Sequence, residues 1–133
     1  MNEMIERGKV FLKGKRIAVI GAKQKKEKWG YKIYDLLKSK GYKVFGVNPN
    51  VDNIDGDKVY DSLSKIDSKI DGLVLIVSPA IGMSLSKEII DKKISMVWMQ
   101  PGAQSDELIS EFEKNNIMTV HDNCIKVHLT SYN

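Results

Sequence analysis

Three short stretches hold the residues whose types and spacing could do chemistry. The first runs Gly21-Ala22-Lys23-Gln24-Lys25-Lys26-Glu27-Lys28-Trp29-Gly30, a turn glycine, four lysines and a second glycine. If a helix opens near Gly30, its free amides and dipole attract an anion, and Lys23 or Lys28 adds positive charge. A glycine chosen for its turn and a merely solvated lysine face account for the same residues, and both readings stand. The second stretch is Asn48-Pro49, where a polar side chain precedes a residue that cannot continue a ladder. The third is His121-Asp122-Asn123-Cys124, with Lys126 and His128 behind it. A catalytic His/Asp/Cys set needs a convergence that one short segment seldom provides. Cys124 reads as a small apolar residue or as a redox-sensitive thiol.

The elements that must position these stretches follow from periodicity. Arg16 to Ile20 is a β-branched run ended by Gly21, hence a first strand. Trp29, Ile33, Leu36 and Leu37 recur at helical spacing over 29–40, which directs all four toward a sheet, and Gly41 stops that helix. Lys43 to Val47 is the second strand. A leading helix is expected over 2–13, with Met4, Ile5, Val10 and Phe11 as inward contacts. Residues 50–57 are turn-rich, and Val59-Tyr60 starts a short element. Leu73-Val74-Leu75-Ile76-Val77 is unbroken apolar sequence, the pattern of a central parallel strand covered on both faces. A helix over 81–92 follows, then a strand over 95–99 ended by Gln100-Pro101-Gly102. Ser105 or Asp106 caps a helix carrying Leu108, Ile109 and Phe112. A fifth strand spans 117–120, and Ile125 to Val127 adds a short final segment. Trp98 reads as core.

Strands alternating with helices predict an α/β fold, a Rossmann-like open parallel five-stranded sheet of order 3-2-1-4-5 with helices on both faces. No repeat or linker divides the chain, so residues 1–133 are expected to form one domain. Ligands in such sheets bind beyond the carboxyl ends of the strands, where the order reverses. That position is occupied by the three stretches above, together with Ser78-Pro79 and Gln100-Pro101-Gly102.

The first loop is neither a dinucleotide fingerprint, since Lys23 and Lys26 stand where G-x-G-x-x-G needs glycine, nor a Walker A loop. The end of the second strand discriminates further. NAD-binding folds put an acid there for the ribose hydroxyls, whereas this chain has Asn48 and no acid before Asp52. A neutral side chain tolerates a ribose that bears its own phosphate. Coenzyme A has such a ribose and a pyrophosphate for the first loop. NADP shares the ribose phosphate but usually meets an arginine, which is missing here.

At these residues the chain resembles the small stand-alone coenzyme A-binding proteins of bacteria and archaea, whose fold is similar to the N-terminal domain of succinyl-CoA ligase α-subunits. The resemblance covers roughly residues 8–129. It rests on Ile17-Ala18-Val19-Ile20-Gly21, Gly30-Tyr31, Gly41-Tyr42-Lys43-Val44, Val47-Asn48-Pro49, the stretch Gly56-x-Lys58-Val59-Tyr60-x-Ser62-Leu63, Val97-Trp98-Met99-Gln100-Pro101-Gly102 and Cys124-Ile125-Lys126-Val127. It implies that Gly21, Ala22, Lys23 and Gly30 line the pyrophosphate, that Asn48 and Pro49 meet the adenosine side, and that Val77, Ser78 and Pro79 wall the adenine. Lys28, Gln100 and Gly102 complete the expected cofactor-binding set, although Gln100 reads equally as bonding the loop and Gly102 as permitting the turn after the fourth strand, and Cys124 is a candidate thiol contact. Relatives often carry Ser at position 23, Arg at 28 and Arg at 78. Lysine at position 28 serves as a point charge without the bidentate fork of arginine.

Composition narrows the function classes. A formal charge of +4, 42% hydrophobic residues and one cysteine suit a cytoplasmic protein without a disulfide framework. No apolar run reaches the roughly 20 residues of a membrane span, and the first residues lack a signal-peptide core. No metal-ligand spacing and no nucleic-acid motif appears. The expectation is non-catalytic binding of coenzyme A or an acyl-CoA. The alternative is an NADP-binding or redox-sensing protein acting through Cys124. A homodimer is expected only because soluble oligomers are mostly symmetric.

Overall fold

The computed structural model describes residues 3–131. In chain order the elements are α1 (Glu3–Phe11), β1 (Arg16–Ile20), α2 (Trp29–Ser39), β2 (Lys43–Val47), β3 (Asn53–Ile54), β4 (Asp57–Tyr60), a 3-10 turn (Leu63–Lys65), β5 (Gly72–Leu75), α3 (Pro79–Asp91), β6 (Met96–Met99), α4 (Asp106–Glu113), β7 (Met118–Val120) and α5 (Ile125–Ser131). The sheet has seven strands in the order β3-β4-β2-β1-β5-β6-β7. All neighbours pair in parallel except β3 with β4.

Period-two alternation splits the core into two layers. Ile17 and Val19 of β1 join Phe11, Ile33, Leu37, Trp98 and Leu129 on the face covered by α1, α2 and α5. Ala18 and Ile20 join Leu73, Leu75, Ile89, Leu108 and Phe112 on the face covered by α3 and α4. Trp98 is fully buried and meets the ring of Phe11 edge-on at 5.3 Å. A parallel strand must be apolar on both sides to be covered this way, which explains the unbroken run in β5.

The α/β class, the parallel sheet and the helices on both faces match expectation, but the strand count and order are corrected. The run at 72–75 does not lie outside β2. It pairs directly with β1, Ile17 opposite Gly72 through Ile20 opposite Leu75. The place outside β2 belongs to β4, with Val47 opposite Tyr60. The physical reason is the hairpin of β3 and β4, turned by Asp55 and Gly56, both at positive φ. Two- and four-residue strands in a polar segment are too short to show a period.

Smaller corrections concern edges and facing. The leading helix is Glu3–Phe11, and residue 2 lies outside the described part of the chain. Val10 is exposed rather than inward. Trp29 is 48% exposed, with Lys32 and Lys126 over its ring, while Tyr34 takes the buried place. The segment after Cys124 is the helix α5.

Candidate functional site

The chain order reverses at β1, which has β2 on one side and β5 on the other. The helix that follows β1 lies on one face and the helix that follows β5 on the other, so a cleft opens between their connections. A cleft of about 260 Å³ is present there, lined among others by Ile20, Gly21, Lys23, Val47, Asn48, Pro49 and Val77.

Two glycines, Gly21 in its lining and Gly30 packed against Gly21, shape the loop beside it. Gly21 has φ +98°, and a Cβ on it would lie within 3.0 Å of the Ile76 carbonyl oxygen. A Cβ on Gly30 would lie equally close to the carbonyl oxygen of Gly21. Both positions need glycine because backbone passes over backbone. The result sets the first turn of α2 on the end of β1.

That helix start carries no side-chain cap. Lys28 occupies the N-cap in extended conformation, and the first turn has no acidic residue. By contrast, Ser78 accepts a hydrogen bond from the Ile81 amide at α3, and Ser105 accepts from the Leu108 amide at α4. The Tyr31 amide donates to the Lys28 carbonyl at 3.1 Å, so it is the Trp29 and Gly30 amides that stand without a side-chain cap at the positive helix end, with exposed Lys23, Lys25, Lys26 and Lys28 in the preceding loop and Lys23 lining the cleft. The loop is held in place by Gln24, whose Nε2 donates to the Asn53 carbonyl at 2.8 Å. Tyr31 Oη donates to the Asp55 carboxylate at 2.6 Å, which pushes the phenol up to about 12. The β3–β4 hairpin thus braces both the lysine loop and α2.

Asn48 is buried at the end of β2. Its Nδ2 donates to the Ala22 carbonyl at 2.8 Å and its Oδ1 accepts from the Asn50 amide at 2.9 Å. The side chain ties the first two strand-end loops together. The cleft is completed by residues the sequence did not single out for ligand contact: Asn50, Asp61, Ser62, Leu63, Ile81, Leu85 and Glu88. Their signal was partly present in the Tyr60-x-Ser62-Leu63 stretch, but β4 had to be placed beside β2 to bring it here.

The sequence-derived site residues distribute as follows. Gly21, Lys23, Asn48, Pro49 and Val77 line the cleft. Ala22 and Gly30 are buried and Lys28 is exposed at the N-cap of α2, none of them among the lining residues, while Ser78 and Pro79 begin α3 beside Val77. Gln100, Gly102 and Cys124 are not among the lining residues. The Gln100 side chain is buried. Its Oε1 accepts from the Ile125 amide at 2.8 Å, and its Nε2 donates to Cys124 Sγ at 3.4 Å. It fastens α5 to the end of β6. Gly102 turns at φ +96° with open space around it.

The histidines do not converge with the thiol. His121 Nδ1 lies 2.6 Å from the Asp122 carboxylate, while His128 is buried edge-on against Trp98 at 4.7 Å. Burial, with Lys9 as a lesser influence, pushes the His128 pKa down. Exposed Trp29 instead has two cations over its ring, Lys32 at 4.8 Å and Lys126 at 5.7 Å. Among the described residues no group of three His, Cys, Asp or Glu could hold a metal ion, and no helix is long and apolar enough to cross a membrane.

Comparison with known proteins sets this geometry in a family. A conserved hypothetical protein from Pyrococcus furiosus shares 36% identity and superposes with a TM-score of 0.81, covering 86% of this chain and 98% of that one. A hypothetical protein from Pyrococcus horikoshii superposes with a TM-score of 0.90 at 26% identity, covering 99% and 94%. An ADP-forming acetate–CoA ligase from Methanocaldococcus jannaschii is 32% identical over 128 residues, which is 90% of this chain but only 18% of the ligase. The family model described as a CoA binding domain matches residues 15–130, from the start of β1 into α5, and the chain belongs to that family.

Proposed function

We propose that this chain binds coenzyme A or an acyl-CoA across the carboxyl ends of β1, β2 and β5, acting as one domain without catalysing a reaction. The observation that carries the reading is the uncapped start of α2, set by Gly21 and Gly30 at the point where strand order reverses. Backbone donors, a helix dipole and four lysines there suit a pyrophosphate. The adjoining cleft, about 260 Å³, is smaller than the ~300–1,000 Å³ that encloses a whole drug-sized ligand. It suits the base, held between Pro49 and Val77, while the phosphates and pantetheine arm run over the lysine loop.

Among the described residues Cys124, His121 and His128 do not converge on a shared site, which supports binding over turnover. The ligase relative does its chemistry with a chain of which this one matches a small part, so its activity is not carried over. Within this reading Cys124 serves the packing of α5. A cytoplasmic site of action and a homodimer remain part of the same proposal.

Titration calorimetry with coenzyme A, dephospho-coenzyme A and NADP tests the reading. Coenzyme A should bind, and Lys28→Glu should weaken it by ~1 kcal/mol or more through loss of charge at the phosphates. Heat with NADP and none with coenzyme A would refute it in favour of the redox alternative.

A further inference from the structure

Asp61 lies in a position that the usual place of the acid in nucleotide-binding sheets does not anticipate. Val47 pairs with Tyr60, and the Asn48 amide donates to the Tyr60 carbonyl at 2.9 Å. Asp61 is therefore the lateral neighbour of Asn48, displaced by one strand spacing of about 4.8 Å from the end of β2. It lines the cleft together with the apolar side chains of Leu63, Val77, Ile81 and Leu85.

Its acceptor capacity is mostly uncommitted. Lys65 approaches the carboxylate at 3.4 Å, a loose pair in which both side chains are at least 60% exposed. An ionised carboxylate offers about four lone-pair sites, so acceptors remain. The other carboxylate of the cleft, Glu88, already accepts the Ser64 amide at 2.8 Å. Asn48 has both ends of its side chain committed to Ala22 and Asn50.

We infer that Asp61 selects adenine in this cleft by accepting a hydrogen bond from its exocyclic amine. The inference rests on the proposed binding of coenzyme A and adds which base is read and by which residue. The direction follows from charge. Lys23, in the loop that leads into α2, is the cation lining the cleft, and its carboxylates come from Asp61 after β4 and Glu88 of α3. A ribose bearing a phosphate is repelled by Asp61, so the ligand must turn a neutral donor toward it. Adenine has one at N6, whereas hypoxanthine held in the same pose presents a carbonyl oxygen there, leaving two acceptors facing each other unless the base shifts to offer its N1–H.

The test compares coenzyme A with its deaminated analogue, in which hypoxanthine replaces adenine, by titration of the wild type, Asp61→Asn and Asp61→Ala. The wild type should prefer coenzyme A by about tenfold or more. Asp61→Asn, whose amide can donate to the analogue's oxygen, should abolish or invert the preference, and Asp61→Ala should abolish it. Thermal melts of the variants check that the fold persists. Equal affinity of the wild type for both compounds, or an unchanged preference in both variants, overturns the role of Asp61 while leaving coenzyme A binding intact. No binding of either compound to the wild type removes the binding reading itself.

Discussion

The two ends of β1 treat their backbone donors in opposite ways. At the amino end the Asp71 carboxylate accepts both the Lys15 and the Arg16 amides at 2.9 Å. At the carboxyl end the chain turns at Gly21 into a helix whose first amides have no side-chain cap. The same contrast separates α2 from α3 and α4, whose first turns are closed by Ser78 and Ser105. Where donors serve the fold, the chain supplies its own oxygen. At the start of α2 it supplies glycines and lysines and no side-chain oxygen, which is what the proposed phosphate contact requires. The cost of leaving a helix start open is about 1 kcal/mol, small enough to accept at one helix and avoided at the others.

The largest effect is expected from closing the open end by force. Gly30→Ala puts a Cβ against the Gly21 carbonyl, where backbone rather than a flexible side chain must yield. Denaturant unfolding should show a loss of about 2–4 kcal/mol, and coenzyme A binding should fall with it. Gly102→Ala is a control of another kind: its space is open, so the strain comes from positive φ alone and the loss should be nearer 1 kcal/mol.

A gentler exchange sharpens the contrast. Lys28→Asp gives α2 the cap that its sister helices have. It should raise stability by up to about 1 kcal/mol while lowering affinity for coenzyme A, because the carboxylate takes the amides and repels the phosphates. Ser105→Ala should do the converse, costing about 1 kcal/mol of stability with binding unchanged. Paired melts and titrations would break the comparison if stability and affinity moved together in both variants.

The smallest effect concerns pH at the closed end. The backbone amides of Arg16 and Lys15 hold the Asp71 pKa below its ordinary value. A folded pKa below the unfolded one means that the unfolded chain binds more protons as pH falls. The contribution is therefore fully present above about pH 4 and is lost as pH drops through the lower folded value. Solvent screening keeps it to roughly 1 kcal/mol or less. Unfolding curves from pH 2 to 7 should be flatter at the acid end for Asp71→Asn, which cannot titrate; an unchanged slope would remove Asp71 from the acid response.

Much of this was legible in residue order because it depends on neighbours along the chain. The β-branched run of β1, the helical spacing of Ile33 and Leu37 and the stop at Gly41 are local, and the second strand was bounded at Lys43 and Val47 as observed. Trp29 misled because helical spacing tells which face a residue shares but not whether another element covers it. Gln100 shows a different boundary: a polar side chain at a strand end has the same sequence signature whether it meets a ligand or its own chain, and its bond from the Ile125 amide is visible only in the structure.

Sequence alone determined the α/β class, the loop of lysines between two glycines and the neutral Asn48 at the end of β2, since each follows from short-range pattern and side-chain type. Tertiary structure decided which strands are neighbours, that Asn48 spends its amide on Ala22, and that Asp61 reaches the cleft. Those outcomes depend on how a short polar hairpin seats against β2, and the pairing energy that settles it is shared between residues too far apart in the chain for any local pattern to record.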